Sequence, residues 1–281
     1  MSLLVLVSLI WAFSFGLIGA TLQTIHPDAL TWLRLALAAA VFAPFARRLP
    51  TVAAGRFAWI GAVQFGVMYV AYNWSFRFLR GHEVALLTVT TPFFVTALND
   101  WNGRAFSWRN ALLATTAVVG AVIVIAGGHD TRGALPLAGI ALTQVSNLAF
   151  AVGQLAYRRA FADLAARQPL SDAGVCFYGY AGAVAVTLPF ALRPLAGALP
   201  HLDREQALAL LYLGTIASGL SFFLWNRGAR FTSAGALAVM NNLKIPLAVA
   251  VSLLVFREPA DLRQLLPGGG LVLAAAAAAH F

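Results

Sequence analysis

The chain has 281 residues, 60% of them hydrophobic and only 10% charged, with a formal net charge of +9. A soluble domain of this size carries roughly 25% charged residues, so the composition excludes an ordinary soluble enzyme and points to a polytopic membrane protein. The arginines fall mostly in short segments between apolar runs, where they orient helices and meet lipid headgroups, so the positive charge is not read as a nucleic-acid footprint.

Continuous apolar runs without strand-like alternation predict an all-α integral membrane protein. Ten transmembrane spans are expected, at roughly 3–22, 29–46, 57–76, 83–101, 109–127, 134–157, 173–192, 206–226, 232–256 and 263–279. The first lacks a preceding basic residue and a small-residue cleavage site, and reads as a retained span rather than a signal peptide. It carries Trp11 and Ser14, both read as packing residues.

Span two places Arg34 near its outer end, as a charge that snorkels to headgroups or neutralises an acid. Span three holds Gln64 at depth and Tyr69 further along, while Tyr72, Asn73 and Trp74 suit an interfacial belt. Span four opens with Glu83 and runs through Thr88, Thr90 and Thr91 to Pro92. Glu83 is either a structural partner for Lys244 or Arg34 or a proton-coupling carboxylate. Span five is continuously apolar from Leu112 to Ala126.

In span six, Gln144, Asn147 and Gln154 lie on one helical stripe, fit either for a neutral ligand group or for bonds between helices. Span seven holds Cys176, the one cysteine, which excludes an internal disulfide. Span eight carries Ser218, Ser221 and Trp225, a cavity wall or, for the tryptophan, part of an aromatic belt.

Span nine contains the costliest segment, Asn241-Asn242-Leu243-Lys244-Ile245-Pro246. A lysine at membrane depth costs several kcal/mol by most accounts unless it faces protein or water, and is a site hypothesis by default. Pro246 removes a helix hydrogen bond, so a helix break is expected there and at Pro92. Span ten starts around a glycine triplet, Gly268 to Gly270.

The halves repeat. Gly81 and Gly235, Pro92 and Pro246, and Arg109 and Arg263 are each 154 residues apart, in matching places of the span pattern. Two repeats are expected, at 1–128 and 133–281. An odd number of spans per repeat makes the second inverted relative to the first, an arrangement found in transporters with sites at the repeat interface. With the N-terminus inside, ten arginines fall in cytoplasmic loops against seven outside, which favours both termini in the cytoplasm. No glycine-rich phosphate loop and no metal-ligand spacing among the five histidines appears, so neither cofactor nor metal is expected.

Ten spans in two inverted halves resemble the drug/metabolite transporter superfamily in its EamA branch, with local matches at Leu9 to Phe15, Leu33-Arg34 and Pro92. Within it, the bacterial biotin transporters are similar over nearly the whole chain. That resemblance rests on Gly61 to Tyr69, Glu83 with Phe93 to Asp100, Gln144 to Gly153, Ala217 to Asn226, and Ala238 to Asn242. Glu258 matches the superfamily's acidic residue after span nine, whereas Arg104 replaces its counterpart after span four.

The resemblance implies a secondary transporter of the bacterial cytoplasmic membrane taking up biotin or another small carboxylate. Export of amino acids or related metabolites is the alternative, since sequence gives no direction. The binding candidates are Gln64, Tyr69, Gln144, Asn147, Trp225, Asn241, Asn242 and Lys244. The amides suit a ureido ring, the aromatic rings suit an apolar bicycle, and Lys244 suits a carboxylate.

Overall fold

The computed structural model of the chain describes residues 2–46, 49–103, 136–167, 169–231, 234–259 and 261–278, with isolated positions between 104 and 135. Predicted span five, Arg47, Arg48, Arg104, Arg109 and Arg132 lie outside the described residues or their described side chains.

Every regular element among the described residues is helical. The first half contains α1 (Ser2–Thr21), α2 (Pro27–Phe42), α3 (Thr51–Gly61), α4 (Met68–Ser75), α5 (Gly81–Leu87) and α6 (Thr91–Gly103). A π-helical segment, Ala62–Val67, joins α3 to α4, and a 3-10 turn, Thr88–Thr90, joins α5 to α6. The second half contains α7 (Leu137–Ala165), α8 (Asp172–Ala198), α9 (Arg204–Leu211), α10 (Ser221–Arg230), α11 (Ala234–Leu254) and α12 (Leu262–Ala278). A longer π-helical segment, Tyr212–Leu220, joins α9 to α10.

Local chemistry sets the helix starts. Pro27 stands at the start of α2, where its missing N–H costs nothing. The carboxylate of Asp203 accepts from the Gln206 N–H at 2.8 Å, capping α9. Glu83 does the reciprocal job at α5, accepting from the Arg80 N–H at 2.7 Å.

Four stretches among the described residues are long and apolar enough to cross a bilayer: Leu3–Thr21, Pro27–Phe45, Asp172–His201 and Arg204–Arg230. Their outward faces carry large apolar side chains, including Leu6, Leu9, Phe190 and Leu211, each more than a third exposed. An exposed apolar surface of this kind belongs against lipid.

The two halves interleave. α1 packs along α11, and α2 packs along α8 and the Tyr212–Leu220 segment. α3 crosses α8 so closely that a Cβ on Gly61 would lie 2.0 Å from the Gly179 carbonyl oxygen. Small residues at such a crossing let two backbones meet.

The π segments have a specific consequence. Their wider turns free carbonyls that an α-helix would bond, and side chains take them up. Trp11 Nε1 donates to the Ala217 carbonyl at 2.9 Å, and the Tyr180 hydroxyl donates to the Ser218 carbonyl at 2.5 Å. The second half's π segment is thus fastened to α1 and α8.

Candidate functional site

A cavity of about 70 Å³ opens where these elements meet. Trp11, Ser14 and Phe15 of α1, Arg34 of α2, and Met68, Tyr69 and Tyr72 of α4 line one part of it. Thr88 and Thr91, together with Ser146, Asn147 and Phe150 of α7, Phe222 of α10 and Lys244 of α11, complete the lining.

The walls are aromatic. Trp11 lies 4.9 Å from Phe222 between ring centres, Tyr69 lies 5.9 Å from Phe222, and Phe150 lies 5.9 Å from Phe222. Such surface suits a flat apolar group. Two cations interrupt it. Lys244 Nζ donates to Asn241 Oδ1 at 3.1 Å and sits 5.0 Å from the Trp11 ring centre. The Arg34 guanidinium lies 4.3 Å from the Tyr69 ring centre and donates to Ser218 Oγ and Asn73 Oδ1 at 3.3 and 3.2 Å. Both are buried, and no ion pair forms with either among the described residues.

Of the residues singled out by sequence, Tyr69, Asn147 and Lys244 line the cavity together. Asn147 Nδ2 donates to the Leu87 carbonyl at 3.0 Å and to Thr90 Oγ1 at 2.9 Å, which holds its side chain in place. Gln144 stands behind that contact, its Oε1 accepting from Thr90 Oγ1 at 2.6 Å. Asn241 acts on Lys244 rather than facing the cavity itself, and Asn242 is buried outside the lining. Trp225 is 1% exposed and packs 5.2 Å from Trp11, as backing for that ring and not in a surface belt.

Gln64 lies elsewhere. It is fully buried, its Nε2 donates to Asn226 Oδ1 at 3.3 Å, and it lines a second cavity of about 10 Å³ with Tyr157 and Cys176. Arg34 is 2% exposed, so it does not reach headgroups. Glu83 sits in the first turn of α5, where its carboxylate serves the helix start. Pro92 follows the 3-10 turn, whereas α11 continues as helix through Pro246.

Sequence reasoning did not place Trp11, Ser14, Tyr72 and Phe222 in a cavity lining. A signal existed for Trp11, a polar-edged ring in a helix with Ser14 three residues on, the same face as the cavity. Among the described residues, no group of three His, Cys, Asp or Glu side chains is arranged to hold a metal ion.

Apolar helices around a buried, aromatic-walled cavity with cations in its lining describe a membrane carrier for a small solute. The EamA-like transporter family matches residues 1–126 and 137–279, and the chain belongs to that family. It is therefore a transporter and not an enzyme, in accord with the resemblance drawn from its motifs.

Among curated relatives, the biotin transporter of Salmonella typhimurium is 33% identical over 98% of this chain and 91% of its own length. That of Escherichia coli (strain K12) is 34% identical over the same shares. The probable biotin transporter of Pseudomonas aeruginosa is 36% identical, over 98% of this chain and 95% of its own. A crystal structure of an 18% identical protein superimposes with a TM-score of 0.66, covering 99% of this chain and 95% of the other, so the two share a fold.

Proposed function

We propose that the chain takes up biotin across the bacterial cytoplasmic membrane as a secondary transporter working by alternating access. The observation that carries this reading is the pair of buried cations on the wall of an aromatic cavity, with no ion pair to either among the described residues. A buried charge needs compensation, and an anionic solute supplies it. Relatives named as biotin transporters over nearly the full length make biotin the solute of choice.

In this reading Lys244, steadied by Asn241, holds the carboxylate. Trp11, Tyr69, Phe150 and Phe222 pack on the bicycle and chain, and Asn147 serves the ureido group. Gln144, Asn242 and Trp225 support that shell, and Gln64 acts from the neighbouring cavity. The present cavity is contracted relative to pockets of about 300–1,000 Å³ that enclose drug-sized ligands, so binding requires the helices to part.

The architecture proposed is ten spans in two inverted repeats, 1–128 and 133–281, with both termini cytoplasmic and lipid around the apolar outer faces. The π segments support the repeat: moved by the 154-residue offset, Ala62–Val67 falls on 216–221, overlapping Tyr212–Leu220.

The test is accumulation of labelled biotin by cells that lack their own importers and express the chain in the membrane. Accumulation above the empty-vector control is expected. No accumulation despite membrane insertion contradicts the reading, and net efflux of amino acids supports the exporter instead.

A further inference from the structure

Arg34 is the charged residue of the cavity lining to which this binding mode assigns no ligand atom. Its guanidinium is deep in the bundle, 2% exposed, on the same cavity as Lys244. Neutral groups fix its orientation. Nε donates to Ser218 Oγ at 3.3 Å and Nη1 to Asn73 Oδ1 at 3.2 Å. Asn73 is itself held, donating to Thr31 Oγ1 at 2.8 Å, while Thr31 donates to the Tyr69 carbonyl at 3.2 Å. Ser218 belongs to the Tyr212–Leu220 π segment, so the second half positions a cation of the first. The Tyr69 hydroxyl is a further neutral neighbour, hydrogen-bonding with Arg34 and Ser218, and among the described residues no carboxylate pairs with the guanidinium.

Arg34 and Lys244 flank different parts of the wall. Lys244 Nζ lies 5.0 Å from the Trp11 ring centre, whereas the Arg34 guanidinium lies 4.3 Å from that of Tyr69. Both rings pack against Phe222. The site therefore presents two strong donors, each beside a different ring of one aromatic cluster. A complementary ligand has two acceptors joined by an apolar body.

Biotin fits that description, with a carboxylate at one end and a urea carbonyl at the other. The urea oxygen is the stronger kind of neutral acceptor, because both nitrogens push electron density onto it. A guanidinium offers planar N–H donors without any acceptor. With Lys244 on the carboxylate, we propose that Arg34 is a specificity-determining residue that donates to the urea carbonyl oxygen of the ligand. Ser218 and Asn73 are the residues that position it. The proposal rests on the biotin reading above.

The test is competition against labelled biotin on the purified full chain, using biotin, 2-iminobiotin and biotin amide. In 2-iminobiotin the urea becomes a guanidinium, which repels Arg34. Wild type is expected to prefer biotin strongly to 2-iminobiotin. Arg34→Gln is expected to shrink that preference by about tenfold or more, while the preference for biotin over its amide stays. Lys244→Met is expected to do the reverse.

A collapse of the amide preference in Arg34→Gln would assign the carboxylate to Arg34 and overturn the proposal. Equal weakening for all three ligands would make Arg34 merely structural and overturn it too. Ser218→Ala, which removes the Nε acceptor but keeps the cation, is expected to shift the 2-iminobiotin ratio in the same direction by less. Should Arg34→Gln fail to fold, an unchanged ratio in Ser218→Ala overturns the proposal. Wild type that binds none of the three refutes the biotin reading itself.

Discussion

Glu258 and His82 are joined twice: the Glu258 carboxylate accepts from the His82 backbone N–H at 3.1 Å and lies 2.9 Å from His82 Nδ1. Its other oxygen accepts from the Gly81 N–H at 3.1 Å. A carboxylate here satisfies orphan donors and complements the positive end of α5. The neighbouring Arg80 Nη1 donates to the Pro259 carbonyl at 2.8 Å. The corner after α11 is thus clasped to the start of α5, joining the two halves at one end of the bundle.

Glu258→Ala removes all three contacts at a partly buried position. It is expected to cost about 1–3 kcal/mol of stability, with Glu258→Gln recovering part because it keeps one acceptor. Thermal unfolding of the purified variants checks this; equal melting temperatures for wild type and Glu258→Ala would contradict it.

Two glycines of one helix provide an internal control. A Cβ on Gly61 meets the Gly179 carbonyl at 2.0 Å, whereas one on Gly55 meets nothing within 4 Å. Gly61→Ala is expected to destabilise by about 1–3 kcal/mol through forced separation of α3 and α8. Gly55→Ala is expected to be neutral or to stabilise by up to about 1 kcal/mol, since alanine favours helix. Melting temperatures that fall by similar amounts for both would argue against the close crossing.

Thr90 links the two amides of α7 to the bend in the fourth predicted span. Thr90→Val keeps the shape and removes the hydroxyl, leaving Gln144 and Asn147 short of a partner. A loss of about 1–3 kcal/mol is expected, together with weaker ligand binding as Asn147 loses its restraint. Thr90→Ser restores the hydroxyl and should recover both quantities. Binding by Thr90→Val as tight as wild type would mean that Asn147 is not held by this contact.

The helices were legible because long apolar runs and their polar breaks follow directly from the cost of exposing polar backbone in lipid. Lys244, Asn147 and Tyr69 were legible because a polar group at depth needs a reason. Trp225 illustrates what was not. Helical-wheel spacing assumes 3.6 residues per turn, and the π segments at Ala62–Val67 and Tyr212–Leu220 break that count. Across such a segment later side chains rotate to another face. Ser218 therefore turns to Arg34, Phe222 takes the cavity wall, and Trp225 backs Trp11. Arg34 was misjudged for another reason: depth along a helix does not reveal which neighbours surround a side chain.

In the proposed function, biotin binds with its carboxylate at Lys244. Binding to the folded state raises stability by mass action, about 2.7 kcal/mol at a hundredfold excess over Kd. The direct measurement is the melting temperature of the purified chain against increasing biotin, with biotin amide and Lys244→Met as controls. A rise is expected with biotin, a much smaller rise with the amide, and loss of the difference in Lys244→Met. No rise with biotin, alongside a rise with another metabolite of a vitamin and amino-acid panel, would contradict it.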